Sequence, residues 1–256
     1  MTPRTENLLK VVAPIVVGVL LLGAWQLAVG VFRIAPTLIP TPAAIVAQIA
    51  EFSPIIVEDS LITATNALVG LVLGGVTGIV LAGLAARFSI LDGMLLPIVA
   101  AIAVVPIVAL TPIFNTMFGA SSQFGRQAIA AIAAFVPVFI NVLRGLRQTR
   151  PVHRDVFRAY AASGAQTFGK LTLPTALPHI TTGLRIAGSL AVISALVAEY
   201  FGGPADGIGT AIASYAKSGK AALAWGYVGA GILIGLAFFL VTLLLERLAT
   251  RHRPTT

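Results

Sequence analysis

The chain has 256 residues, 17 Lys or Arg against 9 Asp or Glu, a mean hydropathy of +0.97, and charged side chains at only 10% of positions. A soluble domain carries about 25% charged residues, so this chain has too little polar surface to cover a globule in water and reads as a membrane protein. It holds no cysteine, which excludes disulfides, thiolate metal sites and cysteine nucleophiles.

Six apolar stretches are long enough to approach the ~20 residues that carry a helix across ~30 Å of hydrocarbon. They are residues 11–32, 61–86, 91–113, 126–143, 177–201 and 226–246. They are too long and too uniformly apolar for barrel strands, which alternate over about 10 residues. The expected fold is therefore an all-α membrane protein with six transmembrane helices. The first stretch exceeds the 7–15 residue core of a secretory signal and no A-x-A-like site follows it, so it reads as a retained helix. Between it and the second span, residues 33–60 carry four prolines and an apolar repeat at Ile45, Ile49 and Phe52. That spacing predicts a short amphipathic helix at the outer interface.

The second span carries Gly70, Gly74, Gly78, Ala82 and Ala86 at four-residue intervals. Such a stripe lets another helix approach closely; it fits tight packing within one subunit or a sliding contact in a moving transporter. Pro97, Pro106, Pro112 and Pro137 in the third and fourth spans predict kinks. The fifth span holds Arg185, close enough to the inner surface to snorkel, and Glu199 near its outer end. Glu199 either faces a permeation path or is paired at the outer rim. With Asn115 and Asn141 it makes up the candidate path residues. FGGPADGIG (201–209) follows as an outer glycine-rich turn without the GxxxxGK[ST] pattern of a phosphate loop.

Lys and Arg in short loops mark the cytoplasmic side. With six spans both termini share a side, and that side receives twelve of the seventeen basic residues: Arg4, Lys10, Arg87, Arg144, Arg147, Arg150, Arg154, Arg158, Lys170, Arg247, Arg251 and Arg253. Arg33, Arg126, Lys217 and Lys220 fall on the other side. The termini are expected in the cytoplasm. The positive balance is explained by topology and anionic lipid headgroups, and there is no basic soluble domain to bind nucleic acid. His153, His179 and His252 are far apart in sequence and beside basic residues, so no metal site is expected.

Residues 144–175 are too long for a simple helix-to-helix turn, which takes about 2–8 residues. Phe157, Tyr160, Phe168 and Leu171 fall on one helical face, and Ser163 with Gln166 matches a capping box. The segment predicts a helix at 153–161, a turn, a second helix at 164–171, and a stop at Leu173-Pro174. On pattern alone this bracket either lies on the bilayer or docks a cytoplasmic partner.

DVFRAYAASGAQTFGKLTLP (155–174) resembles the cytoplasmic coupling motif of the permease subunits of bacterial binding-protein-dependent ABC importers. Placed by Leu173 and Pro174, Asp155 takes the position of the motif's Glu, Val156 and Phe157 those of its two Ala, and Ala161 that of its Gly. Ala162, Ser163 and Gln166 match many members, and Tyr160 sits beside them on the same element. The opening triplet and Ala161 depart from the pattern. LIPTPAAI (38–45), residues 60–99, MFGASSQFGRQ (117–127), ALPHITTGLRIA (176–187) and VAEYFGG (197–203) are similar to the nitrate, taurine and sulfonate branch. YAAS and QTFGK are similar to members assigned to thiamine-precursor pyrimidines, riboflavin or other small heterocycles.

The resemblance implies the type I importer permease fold: an N-terminal helix and outer linker over 1–58, a permease core over 59–246, a cytoplasmic tail over 247–256, and the coupling bracket between helices 4 and 5. It implies a multi-pass bacterial inner-membrane protein, lipid around it, a second copy forming a homodimer, a cytosolic ATPase and an extracytoplasmic solute-binding protein. ATP and Mg belong to the ATPase, with no cofactor on this chain. The competing expectation is an ion-coupled secondary transporter, which calls for internal repeats that the sequence lacks.

Overall fold

The computed structural model describes residues 3–202 and 206–250. Residues 203–205 of the glycine-rich turn, and 251–256 of the predicted tail with Arg251, His252 and Arg253, lie outside them. Among the described residues every element is helical, and helix is one of the two arrangements that satisfy a backbone within lipid.

The first span is α1 (Pro3–Val31). It stands nearly free of the bundle, touching it near its outer end, where Trp25 meets Trp225 edge-on at 5.4 Å. The outer helix is α2 (Pro42–Glu51), started by Thr41, whose hydroxyl accepts from the Ala44 amide. Ile49 and Phe52 pack into an outer core of Ile56, Ile208, Leu223 and Tyr227, so this segment lies on protein as well as at the interface.

The second span is α3 (Ser53–Arg87), which starts eight residues before the apolar run does. Its glycine stripe packs against α6 (Gln123–Arg147). A methyl at Gly78 would sit 3.0 Å from Val138, and one at Gly74 would run into the Ala131 carbonyl. The stripe follows Gly70, Gly74, Gly78, Ala82 and Ala85, and Ala86 is exposed. A helix turns every 3.6 residues, so a four-residue series drifts off its face.

The third span is not one kinked helix. It is α4 (Ser89–Ala103) and α5 (Ile107–Phe118), set at 96° to one another. Proline disfavours helical backbone in the residue before it, and Pro106 itself is extended at φ −67° and ψ 108°. The pair still crosses the bundle. Asp92 at the start of α4 meets Arg147 at the inner end of α6 at 2.6 Å. Phe118 at the end of α5 stacks edge-on against Phe124 at the outer start of α6, 4.8 Å between centroids.

After α6 come α7 (Pro151–Ala159) and α8 (Gly164–Thr167), then a π-turn over Phe168–Thr172 and α9 (Leu173–Phe201). Leu173-Pro174 does not stop the helix; it opens α9. The wider π-turn, in which the Leu173 amide donates to the Phe168 carbonyl, carries the chain through the point where Pro174 offers no donor. The outer helix α10 (Ile208–Lys217) and the last span α11 (Ala221–Thr250) complete the chain. α6 and α9 supply most of the inner core, with Phe139, Val142, Ala187, Ala191 and Ala195 at its centre. Counting α4 and α5 together, the crossings number six among the described residues.

Candidate functional site

Two regions stand out, one at each end of the bundle. At the inner end the bracket projects from α6 and α9. Arg150 and Pro151 start α7; Tyr160 and Ala161 turn the chain. Ala161 has φ +52°, the left-handed region that glycine occupies without a Cβ penalty. The capping box is formed: the Ser163 hydroxyl accepts from the Gln166 amide at 3.3 Å, and the Gln166 side chain accepts from the Ser163 amide at 2.8 Å. Asp155 meets only Arg158, at 3.4 Å on the exposed surface.

The bracket's apolar side has no cover among the described residues. Tyr160 is 83% exposed, and Val156 and Phe168 are half exposed. Val156, Phe157, Tyr160, Ala162, Gln166 and Lys170 line a cavity of about 240 Å³ on it. Leu173 and Pro174 lie further on, where the bracket joins α9. The bracket is thus continuous in backbone with a span, α9, that reaches the outer end.

At that outer end the structure assembles a polar cluster. Glu199 is fully buried. Its carboxylate accepts from the Thr63 hydroxyl at 2.8 Å, the Gly209 amide at 3.1 Å and the Asn66 amide group at 3.3 Å. Asp59 accepts from the Gly207 amide at 3.0 Å and from the Tyr227 hydroxyl at 2.9 Å. The Ile208 amide donates to Thr63. The Gly207, Ile208 and Gly209 amides that open α10 are therefore taken by side chains of this chain. Gly207 has φ +96°, and a methyl there would sit 2.6 Å from the Glu199 carboxyl carbon, so only glycine fits.

Beside it, Arg126 is buried and donates to Asp206 at 2.8 Å and to Gln123 at 3.2 Å; Gln123 in turn donates to Asp206 at 2.9 Å. Burial would push the Asp206 carboxyl up, but the bonds from Gln123 and Arg126 outweigh it and hold the group below the usual aspartate range. The Asp206 charge thus persists throughout the physiological pH range.

Each of the three candidate path residues has hydrogen-bond partners within the bundle. The Glu199 carboxylate is held by Thr63, Asn66 and Gly209. Asn115 donates to the Gly202 carbonyl at 2.8 Å, and Asn141 donates to the Pro137 carbonyl of its own helix at 2.7 Å. Arg185 does not simply snorkel: it meets Glu246 at 2.9 Å, and Thr182 also donates to Glu246. Sequence reading missed Asp59, Thr63, Asn66 and Arg126 as a cluster. The signal was present in part. Asp59, Thr63 and Asn66 run into Gly70 at helical spacing, so the polar cluster and the glycine stripe share one face of α3.

Comparison with known proteins agrees with this architecture. The family described as binding-protein-dependent transport system inner membrane component matches residues 74–255. The formylaminopyrimidine transport permease protein ThiX of Halalkalibacterium halodurans is 35% identical over 169 residues, 65% of this chain and 67% of that one. The taurine transport system permease protein TauC of Escherichia coli is 32% identical over 163 residues, 63% of this chain and 57% of that one. Among solved structures, a chain of the MetNI methionine ABC transporter in inward-facing conformations aligns with a TM-score of 0.66 at 19% identity, covering 78% of this chain and 99% of the other. That likeness is one of fold.

Proposed function

The chain belongs to the binding-protein-dependent transport system inner membrane components, and from that premise we propose that residues 151–174 dock a separate cytosolic ATPase that drives import through this permease. The observation that carries the reading is the uncovered apolar side of the bracket, with Tyr160 83% exposed beside a shaped cavity. An apolar helical element projecting into water is a helix-in-groove ligand in search of its groove. Its unbroken continuation into α9 gives a mechanical reason for coupling: displacement of the bracket moves a span whose far end holds Glu199 and the α10 anchor.

In this reading two copies of the permease pair in the membrane, lipid surrounds them, and an extracytoplasmic solute-binding protein delivers substrate to the outer mouth. ATP and Mg²⁺ act on the ATPase, and the permease itself is not catalytic. Both termini lie in the cytoplasm. The transported solute is small: a thiamine-precursor pyrimidine or other small heterocycle, as the likeness to ThiX suggests, or a nitrate-, sulfonate- or taurine-like anion, as that to TauC does.

The test is co-purification. The tagged chain is extracted in mild detergent as wild type and as Ala162→Asp, which puts a charge into the bracket cavity. An ATPase is expected with the wild type and absent with the variant, at unchanged size-exclusion profile. No ATPase with either protein refutes the reading.

A further inference from the structure

The break between α4 and α5 is the second place where this molecule departs from regular helix. It lies within the depth of the spans: α4 has 15 residues, ~22 Å of rise, and the break sits beside the central residues 132–140 of α6. A helix leaves its terminal carbonyls and amides without partners inside it, so the carbonyls of Ala103 and Val104 and the amides of Ile107 and Val108 fall free here. Irregular backbone at this depth is tolerated only inside protein or along a water-filled cavity, never against lipid. Val104 is 79% exposed, so this chain does not cover it.

A cavity of about 350 Å³ opens at that point, within the ~300–1,000 Å³ range of small-molecule sites. Val105, Ile107, Val136, Ile140 and Leu190 are among its walls, and every side chain lining it is apolar. One turn beyond Ile107, Thr111 is 1% exposed and its hydroxyl has no hydrogen-bond partner. Neither span cation lines this cavity: Arg126 lies near the outer start of α6 with one guanidinium nitrogen on Asp206 and its Nε and second Nη without partners among the described residues, and Arg185 meets Glu246.

We propose that the translocation path runs along the α4–α5 break and passes a neutral, flat, nitrogen-bearing heterocycle there, not an anion. This rests on the importer reading and narrows its substrate. The ring faces pack on Val105, Val136 and Ile140. The ring-edge donors and acceptors meet the freed backbone groups around the break. A sulfonate or nitrate entering the same cavity loses its hydration and finds no cation, which costs far more than losing water from a neutral amide-like edge.

The absence of cysteine makes the test direct. Val105→Cys and Ile140→Cys are introduced singly, with Leu20→Cys on α1 and Val72→Cys on α3 as controls that are exposed on this chain. The complete transporter in open membrane sheets is treated with a charged, membrane-impermeant maleimide, which needs a thiol in contact with water because the thiolate is the nucleophile. Labelling is expected at 105 and 140 and not at 20 or 72. Formylaminopyrimidine at millimolar concentration is expected to abolish labelling at 140, and taurine to leave it unchanged. Cysteines at 105 and 140 that react no better than the controls overturn the path. Protection by taurine, or by neither compound, overturns the substrate class. Labelling needs no ATPase, so a failure here is distinct from a failure of co-purification.

Discussion

Ala161 holds a left-handed backbone conformation that glycine adopts without a Cβ penalty. A left-handed Cβ costs ~1–2 kcal/mol, and glycine gives back ~0.4–1 kcal/mol by loosening the unfolded chain. Ala161→Gly should therefore steady the turn by up to ~1 kcal/mol, about fivefold in local opening. Slower hydrogen exchange of the Ala162 amide, which donates to the Phe157 carbonyl at 2.9 Å, is the readout; unchanged or faster exchange contradicts it. Glu199 is the other residue whose role is decided by its neighbours. Glu199→Ala strands the buried Gly209 amide and leaves a cavity, together about 2–4 kcal/mol. At ~2–4 °C per kcal/mol, the melting midpoint in detergent should fall by several degrees, while the exposed Glu51→Ala stays near wild type. Transport lost at an unchanged midpoint would instead return Glu199 to the permeation path.

At the scale of elements, α3 against α6 is, with α6 against α9, one of the two most extensive contacts in the bundle. Gly74 lies where α3 meets the Ala131 carbonyl, whereas Gly83 on the same helix has nothing within 4 Å of an added methyl. Gly74→Ala is expected to cost ~1–3 kcal/mol as overpacking. Gly83→Ala should be neutral or stabilising by up to ~1 kcal/mol, since alanine is the better helix former. A thermal shift of equal size for both would show that the stripe is not a packing surface. The α4–α5 break is set by the same kind of local fact. Four prolines were expected to bend the third and fourth spans. Pro106 heads a new helix, while Pro97, Pro112 and Pro137 stay inside theirs.

At the scale of the molecule, six crossings would put both termini on one side, and the excess of Lys and Arg there predicts that it is the cytoplasmic side. A green fluorescent protein fused after residue 256 should fluoresce, and alkaline phosphatase at the same place should be inactive. The same phosphatase inserted at Gly219, in the turn between α10 and α11, should be active. The opposite pattern would invert the molecule and place the bracket outside, where no ATPase could reach it. The bracket and the outer cluster stand at the two ends of α9, which runs from the π-turn to Glu199 without interruption.

Much of this was legible in the chain alone. Hydropathy indicates the membrane and most of the spans, because lipid demands backbone satisfied within the segment or in a closed barrel, and these runs are too long and uniform for barrel strands. Charge indicates the inner side, and Ser163 with Gln166 announced the capping box, because both are local effects that operate over one or two turns. The fate of Leu173-Pro174 was not local: a proline stops a helix unless a wider turn absorbs the lost bond, and here one does. Two of the partners of Glu199 lie 133 and 136 residues away in sequence. The burial of Arg126 and the uncovered break at Val104 likewise depend on which helices come to lie side by side. Those are properties of packing, and only the tertiary structure decides them.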